Sequence, residues 1–256
     1  MQRRPPERTK PERGSASEGF HERASRLVGP HLDLHTEAMG RVMKLLTFAD
    51  HLESSIPFPP AEDKTRPSSD IKSQTEAVRE MQRAAVVLTH AYLEDFLRTI
   101  AEVLLPECDE NSLKVIPLAG LPGRPEKFHV GTLVQHKGKT VDELLRQSVR
   151  EHLDRKTFNN KGEIEELLRT LRFDLSGSKE DLAAIQQMIQ RRHQIVHRAD
   201  RQKTPSSNTP VLQPIEDRDA TRWLRATHQF MLNLCGQLLT KLSLLEKQGR
   251  NTNPRS

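Results

Sequence analysis

The sequence predicts an all-α protein, a bundle of four main helices with several shorter ones, and two observations favour this fold. Aromatic residues make up only 4% of the 256 residues, which is low for a β-sandwich or barrel. The prolines leave two long gaps, between Ser68 and Leu105 and between Glu126 and Thr204, where a helix can run uninterrupted. No stretch alternates convincingly between apolar and polar residues as a half-buried strand does.

The first half of the chain is expected to form two helices. The first runs from about His31 to Glu53, where apolar residues make a broken helical stripe. Four prolines in Ser54–Ser69 predict a loop. A long helix then runs from near Ser69 to about Val103, with apolar residues mostly at three- and four-residue steps. At about 1.5 Å per residue it spans on the order of 50 Å and would form the spine of the fold.

The second half is expected to contain four more helices, and polar capping residues mark three of their starts. Thr140 and Glu143 form a capping box, Asn160 precedes the next helix, and Ser178 opens the third. The spans are Thr140 to about Asp154, Gly162 to about Arg172, Ser178 to about Ala199, and about Glu216 to Lys247. Lys203–Pro214 is expected to be a polar loop.

Composition divides the chain into one domain and two tails. Residues 1–27 are rich in Arg, Glu, Pro and Ser with almost no apolar residues, so we expect a disordered basic tail. Residues 28–247 form a single helical domain, and residues 248–256 are a second disordered tail. The net charge of +5 resides in the two ends, apart from a local basic run from Arg191 to Lys203 whose only acidic residue is Asp200. Such a distribution favours phosphate binding through the tails or a local patch over binding by a broad face.

Several classes of protein are disfavoured. The sequence has no run of 18 apolar residues and no signal-peptide pattern, so we expect a cytoplasmic protein without a membrane partner. Cys108 and Cys235 make neither a disulfide framework nor a metal cluster, and we interpret them as small apolar residues. Neither a cofactor nor a metal is expected.

A helical projection of the segment Leu182–Ala199 identifies the candidate site. Arg192 falls within the apolar stripe formed by Ile185, Met188, Ile189 and Val196, while His193 and His197 fall at its edge. A guanidinium in a core-facing stripe is costly unless a carboxylate, a phosphate or an open cleft receives it. Two interpretations therefore stay open. Arg192 is either part of a functional cleft or bound in a structural ion pair with Glu94 or Asp95 of the long helix.

The segment Arg192–His197 reads Arg-His-Gln-Ile-Val-His and resembles the R-x4-H signature of the HEPN superfamily, in particular a prokaryotic ribonuclease branch. The resemblance extends to residues 90–98, which read His-Ala-Tyr-Leu-Glu-Asp-Phe-Leu-Arg, and to the Asn159-Asn160 pair before a short helix. It covers about residues 70–245. The implied fold is a HEPN-like helical bundle.

The resemblance implies metal-independent cleavage of RNA by a homodimer, with two copies of the motif helix facing each other across a cleft. In that activity His197 suits a general acid or base, Arg192 suits stabilisation of the phosphorane, and His193 positions the phosphate or supports His197. The family role implied is a toxin or a phage-defence effector, with an antitoxin or a defence protein as a possible partner.

Other residues are expected to support this site. Glu94 or Asp95 would orient Arg192, and Tyr92 belongs to the same family-like segment. Three arginines of the basic run would hold RNA phosphates: Arg191, Arg198 and Arg201. Two alternatives remain, a non-catalytic module that binds RNA or a nucleotide and a structural dimerisation protein. A zinc site is disfavoured because Gln194 occupies the position of the glutamate in H-E-x-x-H.

Overall fold

Helices dominate the computed structural model, which describes residues 20–56, 69–120, 130–204 and 207–251. The α-helices in these ranges are α1 (Phe20–Ser55), α2 (Ser69–Leu104), α3 (Glu110–Leu113), α4 (Val141–Asp154), α5 (Lys161–Thr170), α6 (Lys179–Arg198) and α7 (Asp217–Asn251). Short 3-10 turns cover Leu105–Glu107, Val130–His136 and Ser176–Ser178. A hairpin of β1 (Arg201–Thr204) and β2 (Ser207–Leu212) joins α6 to α7.

Helix α2 is the spine of the bundle, as predicted. It packs against α1, α4, α6 and α7, and α7 also contacts α1 and α6. Leu93, Phe96, Leu97 and Ile100 of α2 are fully buried at the centre of the core. Apart from the hairpin, the described fold is all-α, which confirms the predicted class. None of the described helices combines the length and the apolar character that crossing a membrane would require.

Helix α1 begins earlier than predicted. It starts at Phe20 rather than near His31, so residues 20–27 of the expected disordered tail are helical, and Pro30 lies inside the helix. Glu, Arg and Ala are strong helix formers, so the polar composition of this segment did not exclude a helix. Residues 1–19 and residues 57–68, most of the predicted proline loop, lie outside the described ranges. Helix α7 likewise extends to Asn251 and takes in the first residues of the expected C-terminal tail.

The capping predictions hold for two helices and fail for a third. The Thr140 N–H donates to Glu143 Oε2 at 2.6 Å, and the Glu143 N–H donates to Thr140 Oγ1 at 3.2 Å, which completes the predicted capping box. Asn160 caps α5 by accepting from the Glu163 N–H at 3.0 Å. The Ser178 side chain does not cap α6. Its oxygen instead accepts from Asn233 Nδ2 at 3.0 Å, which links the start of α6 to α7.

The prediction of a polar loop over Lys203–Pro214 is wrong, because most of this segment lies in an antiparallel hairpin. Arg201 pairs with Leu212, and Thr204 pairs with Ser207. The strands are too polar to show an apolar–polar alternation, so the periodicity test could not detect them.

Candidate active site at the end of helix α6

Helix α6 emerges from the core at the motif. Ile185, Met188 and Ile189 are buried, as the apolar stripe predicted. One turn later Arg192 is only half-buried, and Val196, which was also assigned to the stripe, is 47% exposed. The stripe therefore belongs to the core only as far as Ile189. The motif therefore lies at the surface of the chain.

The two histidines of the motif lie side by side on this surface. Both are exposed. The ring centroids of His193 and His197 are 4.7 Å apart and the rings are tilted by 48°. This contact follows from their positions one turn apart on the helix. Each imidazole nitrogen can donate or accept a hydrogen bond, so the pair can handle two protons at adjacent points.

A hollow of about 310 Å³ adjoins His193. Its walls come from α6 and from the turn before α5: Asn159, Ile189, Gln190, His193, Gln194 and Arg198. Arg198 is exposed, and so is Arg201 at the start of β1. Within the described ranges neither of these two arginines forms a salt bridge. Their guanidinium groups are therefore open to solvent, and phosphate binding by them stays a prediction.

Arg192 is not paired with a carboxylate among the described residues, so the structural ion pair with Glu94 or Asp95 is not found. Its Nε is buried and has no hydrogen-bond partner there. Arg192 as a whole is half-buried, so part of its side chain is exposed to solvent.

Within the described ranges, no hydrogen bond or ion pair joins the three supporting residues predicted on α2 to the motif. Glu94 Oε1 accepts a hydrogen bond from the Phe158 N–H at 3.0 Å. The Asp95 carboxylate lies 3.8 Å from His35 Nε2 of α1. Tyr92 packs half-buried against the hydrophobic core. Adjacent positions on a helix point about 100° apart, so Tyr92, Glu94 and Asp95 cannot all face α6.

His90, not predicted as a site residue, connects α2 to the segment before α5 and is near enough to Arg192 to be affected by its charge. It is buried, and its Nε2 lies 3.2 Å from the carbonyl oxygen of Phe158. A carbonyl only accepts, so Nε2 carries the proton and Nδ1 faces Glu94 Oε2 at 3.9 Å. Burial lowers the pKa of His90; Glu94 opposes this shift, while Arg192 and Arg98 add to it. The signal available in the sequence was the position of His90 one turn before Glu94.

Arg191 was predicted to bind phosphate, and the structure contradicts this role. It is 6% exposed, and its Nη2 donates to Asp200 Oδ2 at 2.8 Å. Arg83 of α2, 5% exposed, donates from Nε to the same oxygen at 2.6 Å. Both guanidinium groups also donate to the carbonyl oxygen of Gln213, at 3.0 and 3.1 Å. We call Arg83, Arg191 and Asp200 the buried ion cluster.

The buried ion cluster holds the end of the motif helix. Ala199 and Asp200 follow α6 with φ angles of 47° and 55°, a left-handed conformation that is strained for residues other than glycine. The N–H groups of both residues donate to the carbonyl oxygen of Gln194 and close the helix. His197 lies in the turn that these bonds fix. Asp200 was visible in the sequence as the only acid in the basic run.

The matching family model is described as RiboL-PSP-HEPN and covers residues 61–212, more than half of the chain. The chain belongs to the HEPN superfamily. The predicted resemblance is thereby confirmed, and the matched range includes α2 and the whole motif. Helices α1 and α7 of this HEPN protein lie outside it. No curated protein and no solved structure matched the chain.

Neither a metal cluster nor a reactive thiol stands out in the part of the chain that the structure describes. No group of three or more His, Cys, Asp or Glu side chains there is arranged to hold a metal ion. Burial raises the pKa of the Cys235 thiol to about 11 and also raises the pKa of Cys108. Both cysteines pack against the core, as their interpretation as small apolar residues predicted.

Proposed function

We propose that this HEPN protein is a metal-independent endoribonuclease whose active site contains Arg192, His193 and His197. One observation carries the proposal. Two exposed imidazoles lie 4.7 Å apart on the helix that also presents an arginine without a carboxylate partner among the described residues. Two groups that can transfer protons and a cation that can bind phosphate therefore belong to the same helix end, which supports the proposal. Membership of a superfamily that includes many ribonucleases supports the assignment.

The chemistry follows from the properties of these groups. A base takes the proton from an RNA 2′-OH, and the oxygen attacks the adjacent phosphorus. The P–O bond to the 5′ oxygen breaks as an acid gives that oxygen a proton, which leaves a 2′,3′-cyclic phosphate and a 5′-OH. His197 acts as the general acid or base, a role worth about 10²–10⁴-fold in rate. Arg192 stabilises the charge on the phosphorane, and His193 positions the phosphate or supports His197. Arg198 and Arg201 hold the flanking phosphates.

The proposed enzyme is a homodimer with its active site in the cleft between two motif helices. Val196 supports this arrangement. It is an apolar residue of the motif that is 47% exposed, and a second copy of the chain would cover it. Arg192 would then face both the partner and the substrate. The proposed biological role is that of a cytoplasmic toxin or phage-defence effector, controlled by an antitoxin or a defence partner, because cleavage of RNA stops translation.

The test is cleavage of a labelled single-stranded RNA by purified protein in excess EDTA. Wild type should cleave, and Arg192→Ala and His197→Ala should each lose at least about 10²-fold in rate. His51→Ala, an exposed histidine on α1, is the matched control and should retain full activity. The 5′ product should end in a cyclic phosphate. Binding without cleavage would leave an RNA-binding module in place of an enzyme.

The toxin role is tested separately. Induced expression of wild type should arrest growth, and His197→Ala should not. Equal growth of both strains would reject the toxin role and leave the cleavage activity as a separate question.

A further inference from the structure

Three neighbouring hollows lie along α6 and α7, and the first is the one beside His193. A second hollow of about 320 Å³ lies on the other side of Gln190 and Gln194, which line both. A third hollow of about 690 Å³ shares Arg222 with the second and continues along α7. We call the three together the α6–α7 groove.

The far end of the α6–α7 groove is basic. Arg218, Arg222 and Arg225 line it and lie at helical spacings of four and three residues, so they share one face of α7. Over seven residues this stripe spans about 10 Å. Arg225 is exposed and forms no salt bridge with any described residue. Arg218 and Arg222 contact Glu216 and Asp219, but these are exposed pairs that a phosphate can replace at low cost.

The middle of the groove is rich in amides. Gln187, Gln190, Gln194 and Gln213 line the second hollow and supply both donors and acceptors. Two buried side chains in its wall have an N–H without a partner among the described residues, at Trp223 Nε1 and Arg191 Nε. Donors and acceptors in one small hollow match the edge of a nucleobase better than a phosphate alone.

We propose that the α6–α7 groove binds single-stranded RNA along a path from the motif to the basic face of α7. In this path the second hollow receives a base, and the three arginines of α7 hold backbone phosphates. An acidic protein would pair with the arginines but would leave the amide-lined hollow unexplained. The proposal rests on the proposed ribonuclease function and adds a binding site to it. Because α7 lies outside the matched range, it contributes this surface beyond the family-matched part of the chain.

The test measures binding in a His197→Ala background, where the RNA stays intact. Fluorescence anisotropy with a labelled 12-nucleotide RNA would compare Arg218→Glu/Arg225→Glu with Arg155→Glu/Arg169→Glu, which makes the same change in net charge. The control residues Arg155, directly after α4, and Arg169, on α5, are 62% and 66% exposed. The groove variant should bind at least about tenfold more weakly, and the slope of log K against log salt should fall by about 1.4, or about 0.7 per lost phosphate contact. Thermal unfolding verifies that both variants are folded.

RNA length provides a second measurement. In the His197→Ala background, affinity should rise as the RNA lengthens from two nucleotides until the groove is filled, and the groove variant should lose most of that rise. Equal affinities of the groove and control variants would reject RNA binding by the α6–α7 groove. An acidic protein would then be the remaining candidate for its occupant. That result would not affect cleavage at the motif. The proposed function fails separately, if wild type cleaves no RNA in EDTA.

Discussion

Removing the Asp200 carboxylate should destabilise the protein more than removing any exposed acid. Asp200 is 2% exposed and accepts from both Arg83 and Arg191. In Asp200→Ala the two guanidinium groups stay buried without a carboxylate. Breaking a buried ion pair in this way costs about 3–5 kcal/mol. The left-handed conformation at position 200 adds strain for alanine.

Thermal and urea denaturation would measure this loss. For a protein of this size 1 kcal/mol corresponds to about 2–4 °C, so the melting temperature should fall by about 6–20 °C. Glu102→Ala is the control, because Glu102 is 39% exposed and lies 2.7 Å from Arg150, a distance close to those in the buried ion cluster. That exposed pair is worth about 0–1 kcal/mol.

Asp200→Asn separates charge from shape, since it retains an acceptor and loses the negative charge. It should lie between wild type and Asp200→Ala in stability. Cleavage by both variants should fall even well below the melting temperature, because the last turn of α6 loses its anchor. If Asp200→Ala unfolds within 1 °C of Glu102→Ala, the assignment of Asp200 as the anchor is wrong.

Three further predictions concern His90, Cys235 and Val196. Burial lowers the pKa of His90 in the folded state, so the unfolded chain binds a proton first as pH falls. Stability should be full above about pH 6.5 and decline below it. His90→Gln should weaken this pH dependence of the free energy of unfolding, measured by urea denaturation between about pH 7 and 5, and an unchanged pH dependence would contradict the burial argument. The pKa of about 11 should make alkylation of Cys235 at pH 8 about a hundredfold slower than that of an ordinary thiol. Mass spectrometry of the native protein would measure this rate. Equal alkylation rates in the native and the unfolded protein would contradict the burial argument. Val196→Asp should give a monomer by light scattering with wild-type thermal stability and no cleavage, and a dimer of unchanged activity would exclude this surface as the interface.

The elements of the fold were predictable where local chemistry decides them. The Thr140 capping box and the proline gap around α2 depend only on residues that are close together in the sequence. The observed bounds of α4 and α2 agree with the predictions. The apolar residues spaced at three- and four-residue steps along α2 are not all buried, because Leu88, one of them, is 37% exposed. A helix that packs on several neighbours buries more than one face, and a single stripe cannot describe it.

The motif of the candidate site could be identified from the sequence, but the contacts of the residues around it could not. Periodicity distinguished Arg192 from the rest of the basic run, but it could not show that Arg191 is the buried arginine. That outcome depends on Arg83, which is 117 positions from Asp200 and reaches it only in the folded bundle. The same holds for His90, whose partner Phe158 lies 68 residues away.

The two ends of the hairpin after α6 lie next to each other. The Gln213 N–H donates to the carbonyl oxygen of Asp200 at 2.8 Å. The residues just before and just after the hairpin are therefore joined by a hydrogen bond. Doubling the length of a loop with fixed ends costs only about 0.6 kcal/mol. The hairpin can therefore lengthen, shorten or carry an inserted tag or reporter between Thr204 and Ser207 while His197 stays in place. It gives protein engineers a place to attach cargo without altering the motif.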